Sequence, residues 1–189
     1  MNMIRWPFGR APSAKSNTTT SSPIGAPVPQ SIRRLRQIHN SPNRPRMFAC
    51  DLGSDMPVAV ISRRPENLSQ EIEWLRDQSV PVLVVQSLEN IIRQGFGARC
   101  AFAMLLVDID TLGDLEDVTV QLARLRRDNP ELPVIMVSSG FGRDDFGITR
   151  LQVADVSLRW PVSFFRLEIA ISQAHANNLE WQSRLDMIA

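Results

Sequence analysis

From residue 58 onward the sequence predicts an α/β fold, a parallel five-stranded sheet with helices on both faces. Three observations carry this. Five short runs rich in Val, Ile and Leu recur along the chain. The clearest of them are apolar throughout rather than alternating, the pattern of strands buried on both faces. Between the runs lie segments whose apolar residues recur every three or four positions, the helical period.

The elements follow in order. VAVIS, residues 58–62, is the first strand. PENLSQEIEWLRDQS carries Leu68, Ile72 and Leu75 at helical spacing, with Pro65 suited to the first turn. VPVLVV is the second strand. SLENIIRQ reads as a short helix capped by Ser87 and closed by Gly95. FAMLLVDID is a third apolar run ending in acids. DLEDVTVQLARLRRDNP places Leu115, Val118, Leu122 and Leu125 on one stripe and stops at Asn129-Pro130. LPVIMVSS is the fourth strand. GFGRDDFGITRLQ is a glycine-rich loop with a short, weak helix, and ADVSLRW holds the fifth strand. The sum is (βα)5, and right-handed crossovers favour the flavodoxin-like order 2-1-3-4-5.

The last segment, about residues 162–189, is a helix longer than such a domain needs. Leu167, Ile171, Ala174, Asn178, Trp181, Leu185 and Ile188 alternate by four and three. They form an a/d seam of about three heptads with Asn178 at an a position, where a buried Asn fixes register. The seam predicts a homodimer through this helix or docking on another protein. The alternative is that Leu167 to Ala174 pack on the domain's own sheet.

The other end of the chain differs in kind. Residues 1–57 read as a disordered, basic, Ser/Thr/Pro-rich tail and linker. APSAKSNTTTSSPIGAPVPQ has too little to bury to offset its ordering entropy. A brief helix around Ile32, Leu35 and Ile38 is broken by Pro42 and Pro45. Residues 1–47 carry eight basic side chains and no acidic one, whereas 58–189 carry 13 basic and 18 acidic. Such a tail is either a solvated linker or a weak holder of phosphate or anionic lipid. No apolar run approaches the ~20 residues of a membrane span, and no signal-peptide pattern opens the chain. Cys50 and Cys100 have no metal-ligand spacing, so a reduced, cytoplasmic setting without zinc is expected. Neither phosphate-binding glycine motif occurs, and His39 and His175 read as solvated.

In an open parallel sheet, functional groups gather where the strands end. There the segments LLVDIDTLGDLED, LPVIMVSSG and ADVSLRWPV resemble the receiver domains of two-component response regulators, over about residues 58–176. In that family an Asp ending the third strand accepts a phosphoryl group, and the matching position is Asp108. A Ser or Thr ending the fourth strand contacts the phosphoryl oxygen, and here it is Ser138. Two acids after the first strand hold Mg²⁺; those positions read Ser62 and Arg63. A Lys preceding a Pro after the fifth strand pairs with the phosphate; Pro161 is kept, but the Lys position is Trp160. The aromatic switch position in the fifth strand is Ser157.

These departures remove the charges that phosphoryl transfer to a carboxylate needs. The resemblance therefore implies a degenerate, pseudo-receiver variant: a protein-binding module of bacterial signal transduction without catalysis and without a cofactor. Arg63 or Arg64 is expected to pair with Asp108 or Asp110, imitating one charge state. Trp160, Trp181, Asn178 and Leu185 are the expected contact residues, and the partner a histidine kinase or another signalling protein. One alternative is a true phosphoacceptor in a phosphorelay, with Asp108 accepting, Ser138 assisting and Mg²⁺ bound. Another is nucleic-acid association through the basic arm, which no recognisable binding motif supports.

Overall fold

The computed structural model describes residues 56–93 and 102–187. The chain divides into two units, Met1–Asn43 and Arg44–Ala189, and all described residues belong to the second. The expected tail lies outside them apart from Met56 and Pro57, as do His39, Cys50, Gly95, Cys100 and Ile188.

Five strands form one parallel sheet: β1 (Val58–Ile61), β2 (Val82–Val85), β3 (Met104–Asp108), β4 (Val134–Ser138) and β5 (Val156–Arg159), in the order β2-β1-β3-β4-β5. The expected flavodoxin-like topology is the observed one. The helices are α1 (Ser69–Asp77), entered through a 3-10 turn at Pro65–Leu68, then α2 (Leu88–Arg93), α3 (Leu115–Asp128) and α4 (Phe164–Asp186).

Alternate residues of each central strand face opposite layers. Val58, Val60, Leu106, Ile135, Val137 and Leu158 pack with α1 and α4, where Ala170 and Ala174 have no exposed surface. Ala59, Ile61, Leu105, Val107, Val134 and Met136 pack with α2 and α3 through Leu88, Ile91, Val118, Leu122 and Leu125. Trp74 of α1 stacks on Phe164 of α4, ring centroids 5.9 Å apart. Local chemistry sets the helix starts. Asp114 caps α3 by accepting from the Glu116 N–H, and Ser163 caps α4 by accepting from the Arg166 N–H. Gly113, at φ +112°, makes the turn into α3 that a side chain would strain.

One expected element is missing. The weak helix after β4 does not form, and the loop from Gly140 to Ala154 holds turns and a single bridge, Asp145 to Ser157. Side chains order this loop instead. Arg166 donates twice to Asp144 and also to the carbonyls of Arg159 and Pro161, each at 3.1 Å. The bridge also partly covers the free edge of β5, which would otherwise present open backbone groups.

Candidate functional site at the carboxyl end of the sheet

Register brings the site together. Ile61 pairs with Val107, so the next residues, Ser62 and Asp108, stand side by side. Both are buried, Ser62 at 0% and Asp108 at 5% exposure. The Ser62 hydroxyl donates to Asp108 Oδ2 at 2.9 Å. Thr111, on the 3-10 turn Ile109–Thr111, completes this half. Its hydroxyl donates to the Asp108 carbonyl at 3.1 Å and accepts the Arg63 N–H at 3.1 Å. The Arg64 N–H returns to the Ser62 hydroxyl oxygen at 3.0 Å.

The second half lies beside it. Asp108 pairs with Val137, and Ser138 ends β4 one residue further. Its hydroxyl donates to Asp110, not to Asp108. The Ser139 N–H donates to the other carboxylate oxygen of Asp110 at 2.7 Å. The Ser138 oxygen itself accepts the Gly140 N–H at 3.0 Å. Ser138 is thus tied to the acid two residues past Asp108. The reason is reach: the 3-10 turn folds Asp110 back over the end of β4.

The two acids differ electrostatically. Burial pushes the Asp108 carboxyl above its usual range; the Ser62 hydroxyl opposes this, and the negative charge of Asp110 adds to the rise. Asp110 is exposed; partial desolvation still acts the same way on it, but the hydrogen bonds from Ser138 and Ser139 outweigh it and hold that carboxyl below its usual range.

The expected ion pair with arginine does not form. Arg63 and Arg64 point into solvent, and neither pairs with Asp108 or Asp110. Their backbones bind Thr111 and Ser62, and that fixes the turn while leaving the guanidinium groups outside. Trp160 is 43% exposed at the end of β5, its N–H bonded to the Ser138 carbonyl at 2.9 Å and its peptide to Pro161 cis. Ser157 is buried.

These residues do not fit Mg²⁺. That ion takes oxygen ligands, usually one or two carboxylates. Here Asp108 is engaged by a hydroxyl, the positions after β1 add no carboxylate, and Asp110 is held by β4. Among the described residues no group of three or more His, Cys, Asp or Glu is arranged to hold a metal.

The opposite end of the sheet corrects the reading of the final helix. Asn178 and Trp181 pack against the domain itself. Asn178 is 3% exposed and donates to the Pro130 carbonyl at 2.9 Å. Trp181 covers Arg126, whose guanidinium carbon is 5.4 Å from the ring centroid. Leu185 is half-buried, and His175, expected in solvent, is half-buried too. The a/d seam is spent on the protein's own fold, because the domain has a buried charge to cover there. Arg126, 0% exposed, makes a two-pronged ion pair with Asp155 at 2.5 and 2.8 Å. Asp155 also accepts the Val134 N–H at 2.7 Å. The exposed large apolar residues of α4 are instead Phe165, Ile169 and Leu179.

No family model matches the chain, and no curated protein matches its sequence. Solved structures do match. The beryllofluoride-activated NtrC4 receiver domain dimer is 15% identical with a TM-score of 0.52, covering 65% of this chain and 98% of that one. A pilus assembly-related protein from Burkholderia pseudomallei is 21% identical with a TM-score of 0.51, covering 65% and 90%. A response regulator receiver domain protein from Clostridium thermocellum is 22% identical with a TM-score of 0.47, covering 71% and 99%. The two likenesses with TM-scores above 0.5 show the fold: the described sheet has the flavodoxin-like topology also found in the NtrC4 receiver domain.

Sequence reasoning found Ser62, Asp108, Asp110 and Ser138 but missed Thr111, the Ser139 amide, and the pair Arg126–Asp155. Thr111 had a faint signal, a hydroxyl three residues past an acid at a strand end. Asp155 had a clearer one, a lone acid inside the apolar stretch that opens the fifth strand.

Proposed function

We propose that this domain is a receiver-type module of bacterial signal transduction that acts by binding a protein partner and does not accept a phosphoryl group. One observation carries the proposal: both serines at the site are already committed to internal carboxylates, Ser62 to Asp108 and Ser138 to Asp110. A phosphoryl group on Asp108 would need cations around it and a free hydroxyl at the end of β4. The site supplies Trp160 where a cation is needed and a carboxylate where the hydroxyl should be free.

The receiver fold and the signalling proteins that share it support a protein partner, such as a histidine kinase or another cytoplasmic signalling protein. Trp160 beside Pro161 and the nearby Phe165 offer an exposed aromatic anchor of the kind interfaces use. A homodimer through α4 would rest on Phe165, Ile169 and Leu179, since Asn178 and Trp181 are spent inside the fold.

The test is intact mass after incubation with acetyl phosphate and Mg²⁺, on wild type and Asp108→Asn. The expected result is no phosphoryl adduct on either, under conditions that label an intact receiver. An adduct on wild type alone would overturn the proposal and make Asp108 a working acceptor.

A further inference from the structure

The two edges of the sheet are finished differently. At β5 both outward-facing residues are closed off. Ser157 exchanges its N–H and carbonyl with Asp145, at 2.9 and 2.8 Å. The Arg159 N–H donates to the Asp144 carboxylate at 2.8 Å, and the Arg159 carbonyl accepts from Arg166 at 3.1 Å. The edge at β2 has no such cover. The Pro81 and Val85 carbonyls accept from the N–H groups of Val58 and Ser62. In a parallel ladder the backbone groups of Leu83 then also face β1, and those of Val82 and Val84 face outward. Among the described residues no strand pairs with that edge. The strand is VLVV, without a charge or a proline to blunt it, and Leu83 is 45% exposed.

The size of this edge decides what suits it. A strand of four residues offers far less than the ~800 Å² per partner that a stable interface between free proteins buries. A tethered segment needs no such area, because a short linker gives it an effective concentration in the millimolar range. The chain carries such a segment. MFAC, residues 47–50, is the longest uninterrupted apolar run before β1. Residues 51–57 link it to Val58, which is in register with Val82 of β2. That linker reaches up to about 24 Å. Crossing from β1 past β2 to its outer edge takes only about 10 Å, two strand spacings. Gly53, Ser54 and Asp55 within the linker are turn-forming residues.

We propose that residues 47–50 dock on the outer edge of β2 as a sixth, antiparallel strand. The fitting register sets Phe48 opposite Leu83, Met47 opposite Val84 and Ala49 opposite Val82. Val82 and Val84 then exchange backbone hydrogen bonds with their opposites. The Phe48 ring covers the exposed Leu83 side chain, a cross-strand aromatic–aliphatic pair. The same register sets Arg46 opposite Val85, at the end of the sheet that carries Ser62 and Asp108. The pairing is independent of Asp108 and of any phosphoryl chemistry.

The experiment is amide hydrogen exchange of the full chain, read by two-dimensional NMR at Val82, Leu83, Val84 and Val85. In wild type the outward amides of Val82 and Val84 should be protected. In Phe48→Asp, and in Ala49→Pro, which removes a donor from the docked strand, they should exchange at least ~10-fold faster. The Leu83 and Val85 amides, which face β1, should keep their rates in all three proteins and so show that the sheet stays folded. Unprotected Val82 and Val84 amides in wild type would overturn the proposal, as would protection that survives both substitutions. Protection that rises with protein concentration would overturn it too and assign the edge to a second copy of the chain.

Discussion

The two ends of the sheet each bury an acid where a strand meets a loop, and they neutralise it in opposite ways. At the amino end Asp155 is closed in by Arg126, a backbone N–H and the Trp181 ring. At the carboxyl end Asp108 receives a hydroxyl from Ser62 and has a second negative charge, Asp110, nearby. A full countercharge makes an acid structural. Burial raises both carboxyls; at Asp155 the Arg126 guanidinium opposes the rise, whereas at Asp108 only hydrogen bonds oppose it and the charge of Asp110 adds to it. The long final helix thus seals one end of the sheet and leaves the acid at the other without a countercharge.

Breaking the sealed end should have the largest effect. Arg126→Met leaves Asp155 buried without its cation and should cost about 3–5 kcal/mol. Urea unfolding measures it, and adding Asp155→Leu should recover much of the loss, since a well-packed apolar pair avoids the desolvation of both charges. Full stability in Arg126→Met alone would erase the contrast between the two ends.

Trp181→Ala comes next. It strips the cover from Arg126 and should cost about 2 kcal/mol by the same measurement, combining lost packing with a partly desolvated cation–π contact. If it instead changes oligomeric state with stability intact, the helix serves another chain after all.

The carboxyl end should respond with the opposite sign. Asp108→Asn removes a carboxylate that burial and Asp110 both disfavour, and should stabilise the domain by about 0.5–2 kcal/mol, as substitutions at strained functional positions do. A loss of stability would mean that the Ser62 hydrogen bond outweighs the burial of charge.

The smallest effect is a pH dependence at Asp110. Its folded carboxyl lies below the ordinary value of about 4. Its contribution to stability is therefore fully present above that ordinary value and is lost as pH falls through the lower folded value. Solvent competes for this exposed carboxylate, so the gap between wild type and Asp110→Asn should be about 0.5 kcal/mol or less near pH 6 and vanish near pH 2. A gap that widens on acidification would reverse the assignment of the two acids.

The sequence by itself determined the fold and the roster of residues at the carboxyl end. Strands apolar throughout imply a parallel sheet, helices of period 3.6 cover its two faces, and right-handed crossovers favour the order observed, although the apolar β2 proved to be an edge strand. The residues after each strand had to meet at one edge, so Ser62, Asp108, Asp110, Ser138 and Trp160 could be named in advance. Only the tertiary structure decided who binds whom. Ser138 could reach either Asp108 or Asp110, and the choice depends on one 3-10 turn that no periodicity records. The spacing of Leu167, Ile171, Ala174, Asn178 and Trp181 marks one buried stripe, but a stripe does not say whether its own sheet or a second chain buries it. Asp155 and Arg126 settle that, because two charges distant in sequence meet only after folding, and the helix must then cover them.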